Sequence, residues 1–131
     1  MEVRFRDVSP ERIKTDLLVL PVAEKESMQP VIRALDRRLK GGLSDRIKKG
    51  KFTGAEGSTL LHSTNGMIPA AYVLLVGVGK GEELEVGTWR KAAARARKEA
   101  AAVGAAEMVF FLPSERDSSA TAGAMVEGAM L

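Results

Sequence analysis

The fold of this chain is decided by the stretch AYVLLVGVGKG at residues 71–81. Its first half is a continuous apolar run rich in β-branched residues, which is typical of a strand buried on both faces. Its second half changes abruptly to Gly-Val-Gly-Lys-Gly, where the absence of side chains permits a sharp turn and a close approach by another group. We therefore predict the central strand of a sheet, followed at its carboxyl end by a glycine loop, the place where α/β folds usually bind ligands.

The segments on either side of this strand predict further elements of an α/β domain. Upstream, residues 58–63 read as a strand, and Asn65-Gly66 is a strong turn signal for a hairpin-like connection. Downstream, residues 107–113 read as another, largely apolar strand. Between the glycine loop and this strand, residues 88–103 predict a helix whose narrow, alanine-rich stripe would lie close on the sheet. That stripe consists of Trp89, Ala92, Ala93, Ala96, Ala100 and Val103.

The amino-terminal half adds two strands and two helical segments. Residues 1–8 alternate apolar and charged side chains, which predicts a strand near a sheet edge, whereas the unbroken apolar run at 16–22 predicts an interior strand. A helix begins near Pro30, with Ser27 as a capping residue, and ends at Gly41-Gly42. Residues 43–49 predict a short helical turn. From residue 119 onwards the pattern predicts a helix with no stop signal before residue 131.

Composition predicts one globular domain without a membrane span. The chain has 131 residues, of which 45% are hydrophobic and 28% are charged, and its formal net charge is +3. Its apolar runs are far shorter than the roughly 20 residues that a bilayer requires. It contains no cysteine, which excludes disulfides and cysteine-ligated metal. The first residues lack the layout of a secretory signal, so we expect a cytoplasmic location and no membrane partner.

The residues offer no catalytic or metal-binding motif. His62 is the only histidine, and its neighbour Ser63 would point to the opposite face of a strand, so the two cannot act as base and nucleophile. No spacing of carboxylates or histidines matches a metal site. The carboxylate of Glu56, between Gly54 and Gly57, is interpreted as part of a solvated turn. We therefore predict neither catalytic residues nor bound metal in this chain.

Two anion-binding hypotheses arise from the sequence, each beside a structural interpretation. The loop with Gly77, Gly79 and Lys80 could cradle a phosphate through backbone N–H groups, although it matches no complete phosphate-loop pattern and also suits a purely conformational turn. Two basic helical stretches could contact nucleic acid if they share one face of the sheet, or they could be solvated helix faces. The candidate residues of that surface are Arg37, Arg38, Lys48, Lys49 and Arg95.

Short motifs occur in a defined order along nearly the whole chain. They are Leu35-Asp36 with Gly41-Gly42-Leu43-Ser44, Lys51-Phe52-Thr53-Gly54 with Gly57, the run from Leu74 to Lys80, Arg90-Lys91-Ala92-Ala93, and Glu127-Gly128-Ala129-Met130-Leu131. In order and spacing they resemble the amino-terminal domain of the leucyl aminopeptidases, the cytosol aminopeptidase family of two-metal enzymes. The resemblance implies a three-layer α/β/α, macrodomain-like fold with a mixed, mainly parallel sheet. It also implies that the final helix leads into a larger carboxyl-terminal domain.

The resemblance implies a function for the parent enzyme rather than for these residues. The family's catalytic residues and its two divalent metal ions, zinc or manganese, belong to the carboxyl-terminal domain, so none is assigned here. We expect residues 1–131 to be a single non-catalytic domain whose partner is that catalytic domain, in a parent that releases amino-terminal residues from peptides as a homohexamer. The alternatives are a nucleic-acid-binding module, with DNA as partner, and a binder of ADP-ribose or a similar diphosphate.

Overall fold

A computed structural model of the chain describes residues 2–5, 9–26, 29–81 and 86–111. These residues form five strands, three α-helices and one short 3-10 helix. The strands are β1 (Glu2–Phe5), β2 (Leu17–Ala23), β3 (Thr59–Ser63), β4 (Tyr72–Gly79) and β5 (Glu107–Phe110). The α-helices are α1 (Pro30–Arg38), α2 (Gly42–Lys49) and α3 (Val86–Ala102), and the 3-10 helix spans Pro10–Arg12.

The five strands form one mixed sheet in the order β1-β5-β2-β4-β3. Every neighbouring pair is parallel except β3 with β4, which is antiparallel. The predicted α/β fold with a mainly parallel sheet is confirmed. The prediction that residues 71–76 form the central strand is wrong in position, because the middle strand is β2 and β4 lies beside it. The hairpin places β3 outside β4 and so moves β4 away from the centre.

The helices cover both faces of the sheet. Alternating residues of one strand point to opposite faces, so Leu18 and Leu20 of β2 pack with α1 and α2, while Leu17 and Val19 pack with α3. The five residues Trp89, Ala92, Ala93, Ala96 and Ala100 of the predicted stripe are buried on the α3 side, and Val103 is half-buried. This arrangement confirms the three-layer α/β/α architecture.

Local signals explain how α1 and α2 follow each other so closely. Pro30 occupies the first turn of α1, as predicted, while Ser27 lies outside the described residues. Gly41 has a φ of +80°, which glycine adopts without steric cost, and α2 begins at the next residue. Since Gly41 has no side chain to cap α2, Asp36 does so from α1, where its Oδ1 accepts the N–H of Ser44 at 2.9 Å.

Several predicted boundaries fall outside the described residues. Of the strand predicted at 1–8, the structure describes Glu2–Phe5, at the edge of the sheet as expected. The strand predicted at 107–113 ends at Phe110, and residues 112–131, with the predicted last helix, are not described. Within the described ranges, no helix has the length and hydropathy needed to cross a membrane.

Candidate functional site

The predicted glycine loop lies partly inside a strand. β4 extends through Gly77 and Gly79, and its pairing with β2 shifts register near its end, where Val22 faces Gly77 and Ala23 faces Gly79. Gly79 has a φ of +82°, a conformation that side chains disfavour. The glycines therefore end β4 with a local irregularity, and the prediction of a loop directly after residue 76 is wrong.

The carboxyl ends of β2 and β4 are covered by residues 54–58. A Cβ on Gly77 would lie 2.1 Å from the carbonyl oxygen of Ala55, and a Cβ on Gly54 would lie 2.5 Å from that of Ala23. These distances are far below van der Waals contact, so only glycine fits at either position. The chain itself thus occupies the crevice where α/β folds commonly bind a ligand.

Residues 54–58 also accept hydrogen bonds from backbone N–H groups that a bound phosphate would need. The N–H of Gly77 donates to the Ser58 carbonyl at 2.8 Å, and the N–H of Gly79 donates to the Gly54 carbonyl at 2.9 Å. Lys80, by contrast, is exposed. Two of the backbone donors in the predicted anion loop are therefore already engaged within the chain, and the third candidate, Lys80, faces solvent. Anion binding by Gly77, Gly79 and Lys80 stays a prediction.

The candidate nucleic-acid residues lie on two faces rather than one. Arg37, Arg38, Lys48 and Lys49 are exposed on α1 and α2, which share one core cluster, whereas Arg95 is half-buried on α3 across the sheet. The condition that both basic stretches share a face is not met, because the two helical layers pack on opposite sides of the sheet. A basic surface, if functional, is therefore built by α1 and α2 without Arg95.

His62 belongs to β3, and its side chain reaches the start of α2. Its ring lies against Gly42, where a Cβ would be 3.4 Å from His62 Nε2. Burial lowers the pKa of His62 below its ordinary value of 6.5, the nearby Arg46 guanidinium lowers it further, and Asp36 opposes both effects. His62 is therefore neutral at pH 7. The adjacent Ser63 donates its hydroxyl to Asn65 Oδ1 at 3.2 Å.

An open groove of about 550 Å³ lies at the amino ends of β2, β4 and β5, opposite the strand ends that residues 54–58 cover. The sequence did not predict a site at this position. Asp16, directly before β2, accepts the N–H groups of Ala106 and Glu107 on its Oδ2 at 2.8 and 3.1 Å. This carboxylate thus joins the amino ends of β2 and β5. The available signal was the polar run Lys14-Thr15-Asp16 directly before an apolar strand. The groove is lined by Lys14, Thr15, Asp16, Pro69, Ala71, Ala106 and Glu107.

The geometry of the described residues does not assemble a metal centre. Among residues 2–5, 9–26, 29–81 and 86–111, no group of three or more His, Cys, Asp or Glu side chains is placed to hold a metal ion. Glu56, in the loop over β4, is exposed and lies 3.9 Å from Lys91 Nζ. A carboxylate in this position contributes a weak surface ion pair.

Comparison with known proteins relates this geometry to an enzyme family. The family model described as the cytosol aminopeptidase family, N-terminal domain, matches residues 19–131. A protein of Pseudomonas fluorescens named probable cytosol aminopeptidase is 36% identical over 112 residues, which are 86% of this chain and 23% of that protein. Its namesake in Methylobacillus flagellatus is 40% identical over 93 residues, or 70% of this chain and 18% of the relative.

The fold is similar to that of part of a solved leucine aminopeptidase structure. A mutant of tomato leucine aminopeptidase superposes with a TM-score of 0.82 at 20% sequence identity, over 99% of this chain and 27% of that one. At that identity the match establishes the fold alone. This chain spans less than a quarter of the length of the curated relatives just described. From the extent of the family match we conclude that the chain belongs to the cytosol aminopeptidase family and corresponds to its N-terminal domain.

Proposed function

We propose that these residues act as the non-catalytic amino-terminal domain of a metal-dependent leucyl aminopeptidase. The observation that carries the proposal is the extent of the match: residues 19–131 align with the family's N-terminal domain, while the chain covers 23% or less of the named relatives. The peptidase activity then belongs to a part of the enzyme beyond this domain. The two divalent ions, zinc or manganese, would be held there.

The site geometry supports a structural rather than a chemical role for this domain. The carboxyl ends of β2 and β4 are filled by residues 54–58, and the described residues include no cluster suited to a metal. What the described residues form instead is a three-layer body with a buried core on each face of the sheet. We infer that it packs against its own catalytic domain within a homohexamer located in the cytoplasm, and that it shapes access to the active site.

A paired assay tests this proposal. Hydrolysis of leucine p-nitroanilide with added manganese is measured for residues 1–131 alone and for a longer protein that also carries the carboxyl-terminal domain. We expect turnover in the longer protein and a rate at least about a thousand-fold lower for the 131-residue chain. A mock preparation from the same host controls for contaminating peptidases.

Either departure from this expectation is informative. Metal-dependent turnover by residues 1–131, above the mock preparation, would overturn the assignment of a non-catalytic domain. An inactive longer protein that is folded and loaded with manganese would overturn the assignment of aminopeptidase activity to the parent. Sedimentation of the longer protein in the same buffer tests the hexamer independently.

The charge of one helical layer favours a second candidate function, the binding of nucleic acid. Residues 30–51 carry eight Lys or Arg and two Asp, which gives them a net charge of +6 in a chain whose total is +3. All eight basic side chains are exposed, and Asp45 is engaged by Lys49 at 3.1 Å. A surface of this kind can contact phosphates without reading bases.

Matched charge reversals test the second candidate. The double variant Arg37→Glu, Lys48→Glu changes the basic layer, and Arg97→Glu, Lys98→Glu makes the same charge change on exposed residues of α3. Binding of a fluorescent DNA duplex is followed by anisotropy at several salt concentrations. We expect the first variant to weaken binding by about ten-fold or more and the control by much less. Equal losses, or binding that is insensitive to salt, would eliminate this function for the layer.

A further inference from the structure

The turn between β3 and β4 contains a pair of residues that can react with each other. Asn65 is the only asparagine of the chain, and Gly66 follows it directly. Both residues are exposed, and their φ angles are 51° and 79°. The backbone nitrogen that follows an asparagine can attack its side-chain amide, and glycine hinders this attack least because it has no side chain. The turn therefore places a nucleophile and an electrophile within one short segment.

The structure leaves room at Gly66 and leaves the reacting groups unengaged. No described atom outside the chain neighbours of Gly66 lies within 4 Å of an added Cβ. Within the described ranges, neither the Gly66 N–H nor Asn65 Nδ2 donates a hydrogen bond, whereas the N–H groups of Thr64 and Met67 donate to backbone carbonyls. The reaction requires the Gly66 nitrogen to lose its proton and Nδ2 to leave as ammonia. No hydrogen bond to a described residue opposes either change.

The Ser63 hydroxyl is placed to assist the attack. It donates to Asn65 Oδ1 at 3.2 Å. When a nucleophile adds to the amide carbon, negative charge develops on this oxygen, and a donor aimed at it stabilises that charge. Ser63 is the last residue of β3, so the strand holds its backbone in place. Because both side chains are exposed, we expect an acceleration of only a few-fold.

We propose that Asn65 is a modification site, where the folded chain converts asparagine to isoaspartate through a succinimide with assistance from the Ser63 hydroxyl. The Gly66 nitrogen loses its proton to hydroxide and bonds to Asn65 Cγ. The Cγ–Nδ2 bond then breaks, and ammonia leaves with a proton taken from water, which restores the hydroxide. Water next opens the ring on either side of the imide nitrogen, which yields aspartate or isoaspartate. The proposal is independent of the proposed function.

Conversion at this position changes the turn that joins β3 to β4. Isoaspartate routes the main chain through its β-carbon and so adds one atom between Thr64 and Gly66. The turn is closed by the Met67 N–H, which donates to the Thr64 carbonyl at 3.0 Å. Short hairpin turns depend on specific backbone angles at their central residues. We therefore expect the isoaspartate form to melt about 4 °C or more below the unmodified chain.

Mass spectrometry of three matched variants tests the proposal. The folded chain is incubated in mildly alkaline buffer, and exchange of the amide NH₂ for OH is followed by intact mass. Asn65→Gln should abolish the mass gain, because a longer side chain closes its ring far more slowly. Ser63→Ala should slow the gain by about three-fold. Thr59→Ala, which removes a hydroxyl from an exposed residue on the same face of β3, should leave the rate unchanged.

Two further measurements separate the native turn from the bare sequence. In concentrated urea the hydrogen bond between Ser63 and Asn65 is lost, so the unmodified chain and Ser63→Ala should react at equal rates. Ser63→Thr retains a hydroxyl and should retain the unmodified rate in the folded chain. Circular dichroism verifies that each variant is folded. Isoaspartate itself is measured by methylation with a protein isoaspartyl methyltransferase, and the converted form is separated by ion exchange for melting.

Four results would overturn the proposal. The first is a folded chain that stays intact while the urea-unfolded chain converts. The second is a mass gain without isoaspartate, which would indicate direct hydrolysis of the amide. The third is equal slowing by Ser63→Ala and Thr59→Ala, or slowing by Ser63→Ala that persists in urea. The fourth is an isoaspartate form that melts together with the unmodified chain, since the turn would then be unchanged.

Discussion

Replacing Gly77 with alanine should destabilise the domain by about 3 kcal/mol or more. The new methyl group would lie 2.1 Å from the carbonyl oxygen of Ala55 and 2.3 Å from Ser58 Oγ. Relief requires residues 54–58 to move away from β4, which would break the hydrogen bond between the Gly77 N–H and the Ser58 carbonyl. Urea unfolding followed by circular dichroism gives the free energy of unfolding of each variant.

A second glycine in the same domain supplies the control for this prediction. For Gly87, in the first turn of α3, no described atom outside its chain neighbours and the helix backbone lies within 4 Å of an added Cβ. Gly87→Ala should therefore stabilise the chain by about 0.5 kcal/mol, because alanine loses less backbone entropy in a helix. If Gly77→Ala were as harmless as Gly87→Ala, residues 54–58 could not lie directly against β4.

Enlarging a buried alanine of α3 should have the next largest effect. Ala96 is fully buried between α3 and the sheet, in the cluster that contains Leu17, Val19 and Phe110. Ala96→Leu adds three carbon atoms where packing is already close, and we expect a loss of about 2–3 kcal/mol in the free energy of unfolding. The measurement is again urea unfolding, with the slope checked for a change in cooperativity.

The same substitution on the outer side of the helix separates packing from helix propensity. Ala101 is an exposed residue of α3. Because alanine and leucine have similar helix propensities, Ala101→Leu should change stability by less than about 0.5 kcal/mol. Similar losses at Ala96 and Ala101 would mean that the alanine stripe does not set the distance between α3 and the sheet.

Much of the fold could be predicted because it rests on local patterns. The apolar runs of β2 and β4 indicate buried strands, and all seven residues of β2 are buried. Asn65-Gly66 marks the turn between β3 and β4, and both residues have positive φ, at 51° and 79°. The alanine stripe of α3 recurs at helical spacing and is buried as expected. Each of these signals depends on residues close together in the chain.

The candidate sites could be predicted only as alternatives. A glycine pair suits a ligand loop or a close backbone approach equally well, because in both cases the requirement is space beside the chain. The deciding fact is the position of Ala55 over Gly77, about twenty residues away in sequence, and that contact belongs to no periodic pattern. Likewise, the charges of Arg37 and Arg95 are plain in the sequence, but their relative placement depends on which face each helix covers.

By itself, the sequence determined the α/β class, the identity of most elements and the family resemblance that the family match bears out. These follow from local apolar periodicity, turn chemistry and the order of short motifs. Only the tertiary structure decided that β2 is the middle of the described strands, that residues 54–58 cover the carboxyl ends of β2 and β4, and that the two basic helical stretches lie on opposite faces of the sheet. It also decided that the Arg46 side chain donates to the Leu61 carbonyl oxygen of β3. The physical reason is that strand order and loop packing are set by contacts between distant segments, whose energies depend on the whole core.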